Sequence, residues 1–258
     1  MTNSSLVSYK RLSPNCTIPR NKPITKITVH HMAGNLSVEK CGEIFAPTSR
    51  KASSNYGIGS DGRIGLYVEE KDRSWCSGNA ENDNMAVTIE VANCNGAPNW
   101  EVSDEAFKSL VALCIDICIR NNIEYLYYTG DKLGNLTLHQ FFQATACPGP
   151  YLKSKIPELV RLVNDGLDES RNKVIDIKGE ATIEPKTTEN YPILRKGCTG
   201  DYVKKLQTRL VQLGYDPKGI DGIFGPGCLQ AVKDFQRSRF LVVDGIVGPK
   251  TWRELYGN

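Results

Sequence analysis

Histidine is scarce in this chain, with three in 258 residues. No apolar run reaches the roughly 18 residues that a membrane-crossing helix needs, so no membrane insertion is expected. Met1 to Lys22 is polar and has no apolar core segment, so no secretory leader is expected either. Charge of one sign is also lacking. Against 32 Lys and Arg stand 29 Asp and Glu, and a net +3 gives no electrostatic footprint for nucleic acid. Cysteine is plentiful, but nine is an odd number. Without an export signal it argues against a disulfide scaffold and for thiols made in a reducing cytosol. Cys114 and Cys118, four apart among apolar residues, read as small buried hydrophobes. With 40% hydrophobic and 24% charged residues, the composition is that of a soluble globular protein, long enough for two domains with separate cores.

The charge is unevenly placed. From Pro192 onward, 11 basic residues face 6 acidic ones, a net +5, which leaves −2 for the preceding part. Between the two parts, Asp168 to Asn190 is polar, without aromatic residues or a sustained apolar period, and reads as a linker. The expected organisation is a first domain over 1–167, a linker over 168–190 and a second domain over 191–258.

The first domain reads as mixed α/β. Ile24 to Met32 alternates loosely, as an interior strand does, and Val87 to Val91 is a short β-branched strand. Tyr56 to Val68 is patterned as a hairpin turning at Ser60-Asp61-Gly62-Arg63, where Asp-Gly supplies positive φ values. Val38, Cys41, Ile44 and Phe45 keep helical spacing behind Ser37, a suitable N-cap. Phe107, Leu110, Val111, Cys114, Ile117 and Cys118 mark a strong amphipathic helix behind Ser103, and Ile156, Leu159, Val160 and Val163 mark another. Helices covering a mixed sheet is the economical assembly.

The three histidines fall in two places. His30 and His31 end the apolar strand, and His139 precedes Cys147 by eight positions in a loop closing on Cys147-Pro148-Gly149-Pro150. Two imidazoles and one thiolate make a catalytic zinc set with the fourth tetrahedral position left for water. On a strand, His30 and His31 point to opposite faces, so only one can join, and periodicity does not say which. Cys147 as a nucleophile with His139 as base is the weaker reading, because it leaves the paired histidines without a role.

Several motifs in this order carry a resemblance: Ile27-Thr28-Val29-His30-His31-Met32-Ala33-Gly34, Ser53 to Ile64, Thr88-Ile89-Glu90-Val91, and His139 with Thr145-Ala146-Cys147-Pro148-Gly149. Residues from about 24 to 165 resemble the zinc-dependent N-acetylmuramoyl-L-alanine amidases of type 2, which share the peptidoglycan recognition protein fold. The resemblance implies zinc on His30, His139 and Cys147, with His31 facing away. It also implies a catalytic carboxylate at Glu90 and a threonine, Thr145, beside the site where it helps hold an oxyanion. Trp75 and Asn55 are the residues assigned to the substrate groove. Two positions depart from the family. Ser54 stands where some members place a catalytic tyrosine, leaving Tyr56 as a packed strand residue, and Cys76 stands where a histidine often follows the tryptophan. Asn84 is assigned to ordering this loop.

The second domain holds a near-repeat. Asp221-Gly222-Ile223-Phe224-Gly225-Pro226 recurs as Asp244-Gly245-Ile246-Val247-Gly248-Pro249, each copy leading into a helical pattern. Before them, Val203, Leu206, Leu210 and Leu213 form an apolar stripe ending at Gly214. Three short helices make a small all-α bundle. Leu194 to Leu255 resembles the peptidoglycan-binding domain of type 1, which implies bacterial peptidoglycan as partner; a helical dimerisation module is the alternative. The whole chain then reads as a peptidoglycan hydrolase cutting between N-acetylmuramic acid and L-alanine. Its missing leader suits a phage or prophage endolysin, made in the host cytoplasm and acting at the wall after release. The competing functions are a non-catalytic peptidoglycan-recognition protein and a zinc peptidase of the stem or cross-bridge peptides.

Overall fold

The structure, a computed structural model, describes residues 2–178, 191–239 and 241–256. It divides into two compact units, Met1–Asn172 and Lys173–Asn258. Among the described residues, no helix is long and apolar enough to cross a membrane.

The first unit is built on a mixed six-stranded sheet. Its strands are β1 (Tyr9–Lys10), β3 (Lys26–His31), β4 (Tyr56–Ile58), β5 (Ile64–Leu66), β7 (Ala86–Val91) and β8 (Leu136–Leu138), in the spatial order β1-β5-β4-β7-β3-β8. Only β4 and β5 run antiparallel; the other neighbours are parallel. A separate two-stranded ribbon joins β2 (Cys16–Thr17) to β6 (Arg73–Ser74). Helix α1 (Val38–Phe45) packs on β1, β4 and β5, and α3 (Asp104–Arg120) packs on β4 and β7. Both begin where a serine hydroxyl satisfies a free N–H: Ser37 accepts from Lys40, and Ser103 from Ala106. The short α2 (Ala80–Met85) leads directly into β7.

Period-2 alternation gives the central strands two unlike faces. Ile27, Val29, Val87, Ile89, Val91, Leu136 and Leu138 are all fully buried and make one face apolar. The other face carries Thr88, Thr28 and Thr137, also fully buried, on three neighbouring strands. The Thr28 and Thr137 hydroxyls pair at 2.8 Å, and Ser74 Oγ meets Thr88 Oγ1 at 2.7 Å. Such a face is tolerable only because each hydroxyl has a partner.

The expected hairpin is present as β4 and β5, with one difference. Gly62 alone takes the left-handed backbone, at φ 80°, where Glu105 O lies 3.1 Å from the place a Cβ would occupy. Asp61 instead uses its carboxylate, accepting the Arg63 N–H at 3.0 Å. The expected linker also needs correction. Helix α4 spans Pro150–Lys178 and runs through Asp168 without a break. Between Gly166 and Gly179 the sequence has no glycine or proline, so nothing in it stops an existing helix from propagating. The rest of the expected linker, 179–190, lies outside the described residues.

The second unit contains α5 (Asp201–Gln212), α6 (Pro226–Ser238) and α7 (Pro249–Tyr256). They close on Val203, Leu206, Leu210, Phe224, Val232, Phe235, Val247, Trp252 and Leu255. The sequence repeat becomes a repeated clamp. Buried Gln207 accepts from Gly222 N at 2.8 Å and donates to Asp221 Oδ1 and Ile223 O. Buried Gln236 does the same for Gly245 N, Asp244 Oδ1 and Ile246 O. Truncating either glutamine strands a buried N–H and two acceptors, which costs about 1–3 kcal/mol. Gln207→Ala and Gln236→Ala should lower native-state hydrogen-exchange protection across α5 and α6 by similar amounts. Unchanged protection in either variant would show that its turn is held by the backbone alone.

Candidate metal centre and active site

Register builds the site. In β3 and β7, His30 lies opposite Glu90, and Val29 lies opposite Leu138 at the end of β8. Each threonine of the polar face is therefore followed, two residues on, by a functional side chain: Thr88 by Glu90, Thr28 by His30, Thr137 by His139. His139 opens a single 3-10 turn just past β8, and its ring centroid is 4.6 Å from that of His30. The groups gather at the carboxyl ends of parallel strands, where open α/β sheets leave a crevice.

Cys147 arrives from the loop after that turn. The His31 N–H approaches its Sγ at 3.4 Å, its own N–H donates to Thr145 Oγ1 at 3.2 Å, and its carbonyl accepts from Gln140 N. Donor atoms of His30, His139 and Cys147 lie within 4.8 Å of one another. Gly149, at φ 84°, fits because a Cβ there would stand 3.2 Å from both His31 and the Trp100 Cβ.

The donor set fits zinc on its chemistry. His30 Nε2 is buried and has no hydrogen-bond partner, a costly arrangement that a cation would relieve. Burial, then the neighbouring His139 and His31, holds the His30 pKa well below its ordinary value, and burial lowers that of His139. Both imidazoles are thus neutral, the ligating form. The Cys147 thiol is pushed up by burial and then by Glu90. It needs a cation beside it to ionise, which also disfavours Cys147 as a free nucleophile.

Glu90 Oε2 is likewise buried without a partner. Burial pushes the carboxyl up to about 8, against weaker lowering from Cys76 and Arg50. Thr145 is exposed at the rim. Trp75 is half-buried, with its indole N–H committed to Thr17 Oγ1 at 2.9 Å.

Asn55 does not fit its assignment to the substrate groove. It is fully buried, its amide donating to Val68 O and Glu69 O and accepting from Thr88 N. It ties β4 to β7 and has no group left for a ligand. Ser54 is buried and donates to Tyr56 O, and Tyr56 packs in the core with its hydroxyl on Glu70. Asn84 holds Asn21 N and Ala80 O, so it does not order the loop after Trp75. That loop hangs on Asp83, which accepts from the N–H groups of Cys76 and Ser77 and from the Ser77 hydroxyl. Sequence reasoning also missed Trp100, a half-buried tryptophan at φ 54° whose ring meets His31 edge-on at 5.5 Å. No sequence signal marks a left-handed tryptophan.

Residues 20–150 match the family profile of N-acetylmuramoyl-L-alanine amidases, and residues 199–255 that of a putative peptidoglycan binding domain. The first match takes in half of the chain, and the protein belongs to the N-acetylmuramoyl-L-alanine amidase family. It is similar to the N-acetylmuramoyl-L-alanine amidase CwlL of Bacillus licheniformis, at 26% identity over 204 residues, 76% of this chain and 51% of that one. A stretch of 64 residues is similar to the spore cortex-lytic enzyme of Bacillus subtilis strain 168, at 45% identity, 24% of this chain and 21% of that one. Among solved structures it is similar to an endolysin N-acetylmuramoyl-L-alanine amidase, LysCS, from Clostridium intestinale URNW. That pair shares 23% identity over 58% of this chain and 90% of the other, with a TM-score of 0.42. The chain spans about half the length of the Bacillus licheniformis amidase.

The Glu90 environment gives a pH-dependent stability in the metal-free protein. Between the ordinary carboxyl value of 4.5 and about 8, the folded chain keeps a proton that the unfolded chain has released. Stability therefore falls as pH rises through that window. Glu90→Gln should make the metal-free protein more stable than wild type at pH 8, and the gain should fade toward pH 4.5. Denaturant midpoints at the two pH values check this; equal midpoints at pH 8 would mean that the carboxyl is not desolvated.

Proposed function

We propose that this protein hydrolyses the amide between the lactyl group of N-acetylmuramic acid and L-alanine in bacterial peptidoglycan, as a zinc enzyme of the phage or prophage endolysin type. The observation that carries the reading is the meeting of buried His30 and Cys147 with half-buried His139, with His30 Nε2 unpartnered. These three residues would hold the metal. The chemistry supplied by zinc there is a fixed positive charge that polarises the scissile carbonyl and acidifies water.

The remaining work falls to the chain. Glu90 Oε2 takes a proton from the attacking water and returns it to the alanine nitrogen as the C–N bond breaks, leaving a lactyl carboxylate and a free amine. Thr145, with its oxygen accepting from Cys147 N, keeps its hydroxyl proton to offer to the developing oxyanion. Trp75, half-buried, lines the substrate groove with its ring. The second unit holds the enzyme on an insoluble polymer, raising its effective concentration without altering the chemistry. Its basic excess makes part of that retention sensitive to salt.

Mass analysis of digested walls tests the reading. New alanine N-termini on released peptides, with the glycan strands left intact, are expected; cleavage between amino acids would make the protein a peptidase. Purified protein should carry about one zinc per chain, lose activity to a chelator and regain it with zinc. His30→Ala should lose the metal while His31→Ala keeps it, and equal zinc in both would remove His30 from the set. Glu90→Gln should keep zinc and lower turnover by roughly 10²-fold or more. Near-wild-type turnover in that variant would return Glu90 to a structural role.

A further inference from the structure

Cys76 has no part in the chemistry above, yet its thiol lies inside the site. Its Sγ stands 3.8 Å from Glu90 Oε1, and donor atoms of Cys76, Glu90 and His30 all lie within 4.8 Å of one another. Among the described residues this thiol is the sole hydrogen-bond partner of the Glu90 carboxyl, whose other oxygen, Oε2, is buried and unpartnered.

The thiol is held there by a built support. The Cys76 N–H donates to Asp83 Oδ2 at 3.1 Å, and the Ser77 hydroxyl donates to Asp83 Oδ1 at 2.6 Å. Asp83 is 2% exposed, so its carboxylate is a rigid acceptor. Beside it, Asn82 Nδ2 donates to Thr28 Oγ1 at 2.9 Å, pinning the same support to the threonine face two residues before His30. A loop needing only to turn would not require a buried carboxylate with three donors from two successive residues.

We infer that Cys76 is a positioning residue for Glu90, its S–H fixing Oε1 so that Oε2 is the oxygen left to exchange protons with the substrate. The terminal torsion of a glutamate side chain is broad and nearly two-fold. Without a partner the carboxyl plane swings over that broad torsion, and an oxygen spends less of its time within proton-transfer reach. A thiol is a weak donor, so its removal appears in rate far more than in stability. The inference rests on the amidase reading given above.

The test is steady-state hydrolysis of a soluble muropeptide by the full-length zinc-loaded protein, comparing wild type, Cys76→Ala, Cys76→Ser, Glu90→Gln and the Cys76→Ala/Glu90→Gln double variant, with zinc measured in each. Cys76→Ala should lower kcat about 10-fold at unchanged KM and unchanged zinc. Cys76→Ser, which keeps a donor, should recover part of that loss. In the Glu90→Gln background the alanine change should cost nothing more, because its effect passes through Glu90. An unchanged kcat in Cys76→Ala, a serine variant no better than alanine, or an additive loss in the double variant overturns the inference. So does a fall in zinc, which would make Cys76 a ligand. A wild type without hydrolysis removes the amidase reading and this inference with it; an active wild type matched by Cys76→Ala removes the inference alone.

Discussion

The site depends on the in-register parallel pairing of β7, β3 and β8. Parallel pairing sets equivalent residues side by side, and period-2 alternation sends every second side chain to the same face. With Thr28 opposite both Thr88 and Thr137, the next residues on that face are His30, Glu90 and, just past the strand, His139. A slip of one residue in either pairing would turn a functional side chain into the apolar face and bring a leucine or valine into the site. The same register that buries Ile27, Val29, Val87 and Ile89 thus also assembles the donors.

Burying a polar face beside that core demands compensation, and side chains around the sheet supply it. Asn55 bonds the Thr88 backbone, Ser74 bonds the Thr88 hydroxyl, and Asn82 bonds Thr28. Arg20, 6% exposed, spends its guanidinium on the carbonyls of Glu70, Asp72, Asn84 and Ala86. Arg120 pairs with buried Glu70 at 2.6 Å, and Tyr56 adds its hydroxyl to the same carboxylate. These bonds contribute modestly in net terms, but each is costly to break, because the partner left behind is buried. Among the buried atoms left without a partner, together with His31 Nδ1, Asp72 Oδ1, Asn82 Oδ1 and Asn93 Oδ1, are His30 Nε2 and Glu90 Oε2, the two assigned to metal and proton.

How much was legible in the sequence follows from the range of the interactions involved. Ser37 and Ser103 announce their helices because an N-cap is a bond across three residues. The apolar alternation of Lys26–His31 and Ala86–Val91 reads directly as strand, and the scarcity of histidine singles out His30, His31 and His139, with only the family resemblance choosing His30 over His31. The three-residue strand β8 gives too short a pattern to read, and the six-residue α2 has no apolar stripe. Asn55, Asp83 and Cys76 owe their roles to partners that only the folded chain brings near. The extension of α4 past Asp168 is not marked in the sequence because the segment has no sustained apolar period, whereas the helix continues through it to Lys178.

The central claim is that one thiolate and two imidazoles, His30 lying more than a hundred residues from the other two, converge on a single zinc. X-ray absorption at the zinc edge of the loaded, full-length protein tests it most directly. The account predicts one sulfur scatterer at about 2.3 Å and two imidazole nitrogens at about 2.0–2.1 Å, with a light atom completing four-coordination. A zinc shell without sulfur, or with a single imidazole, would contradict it.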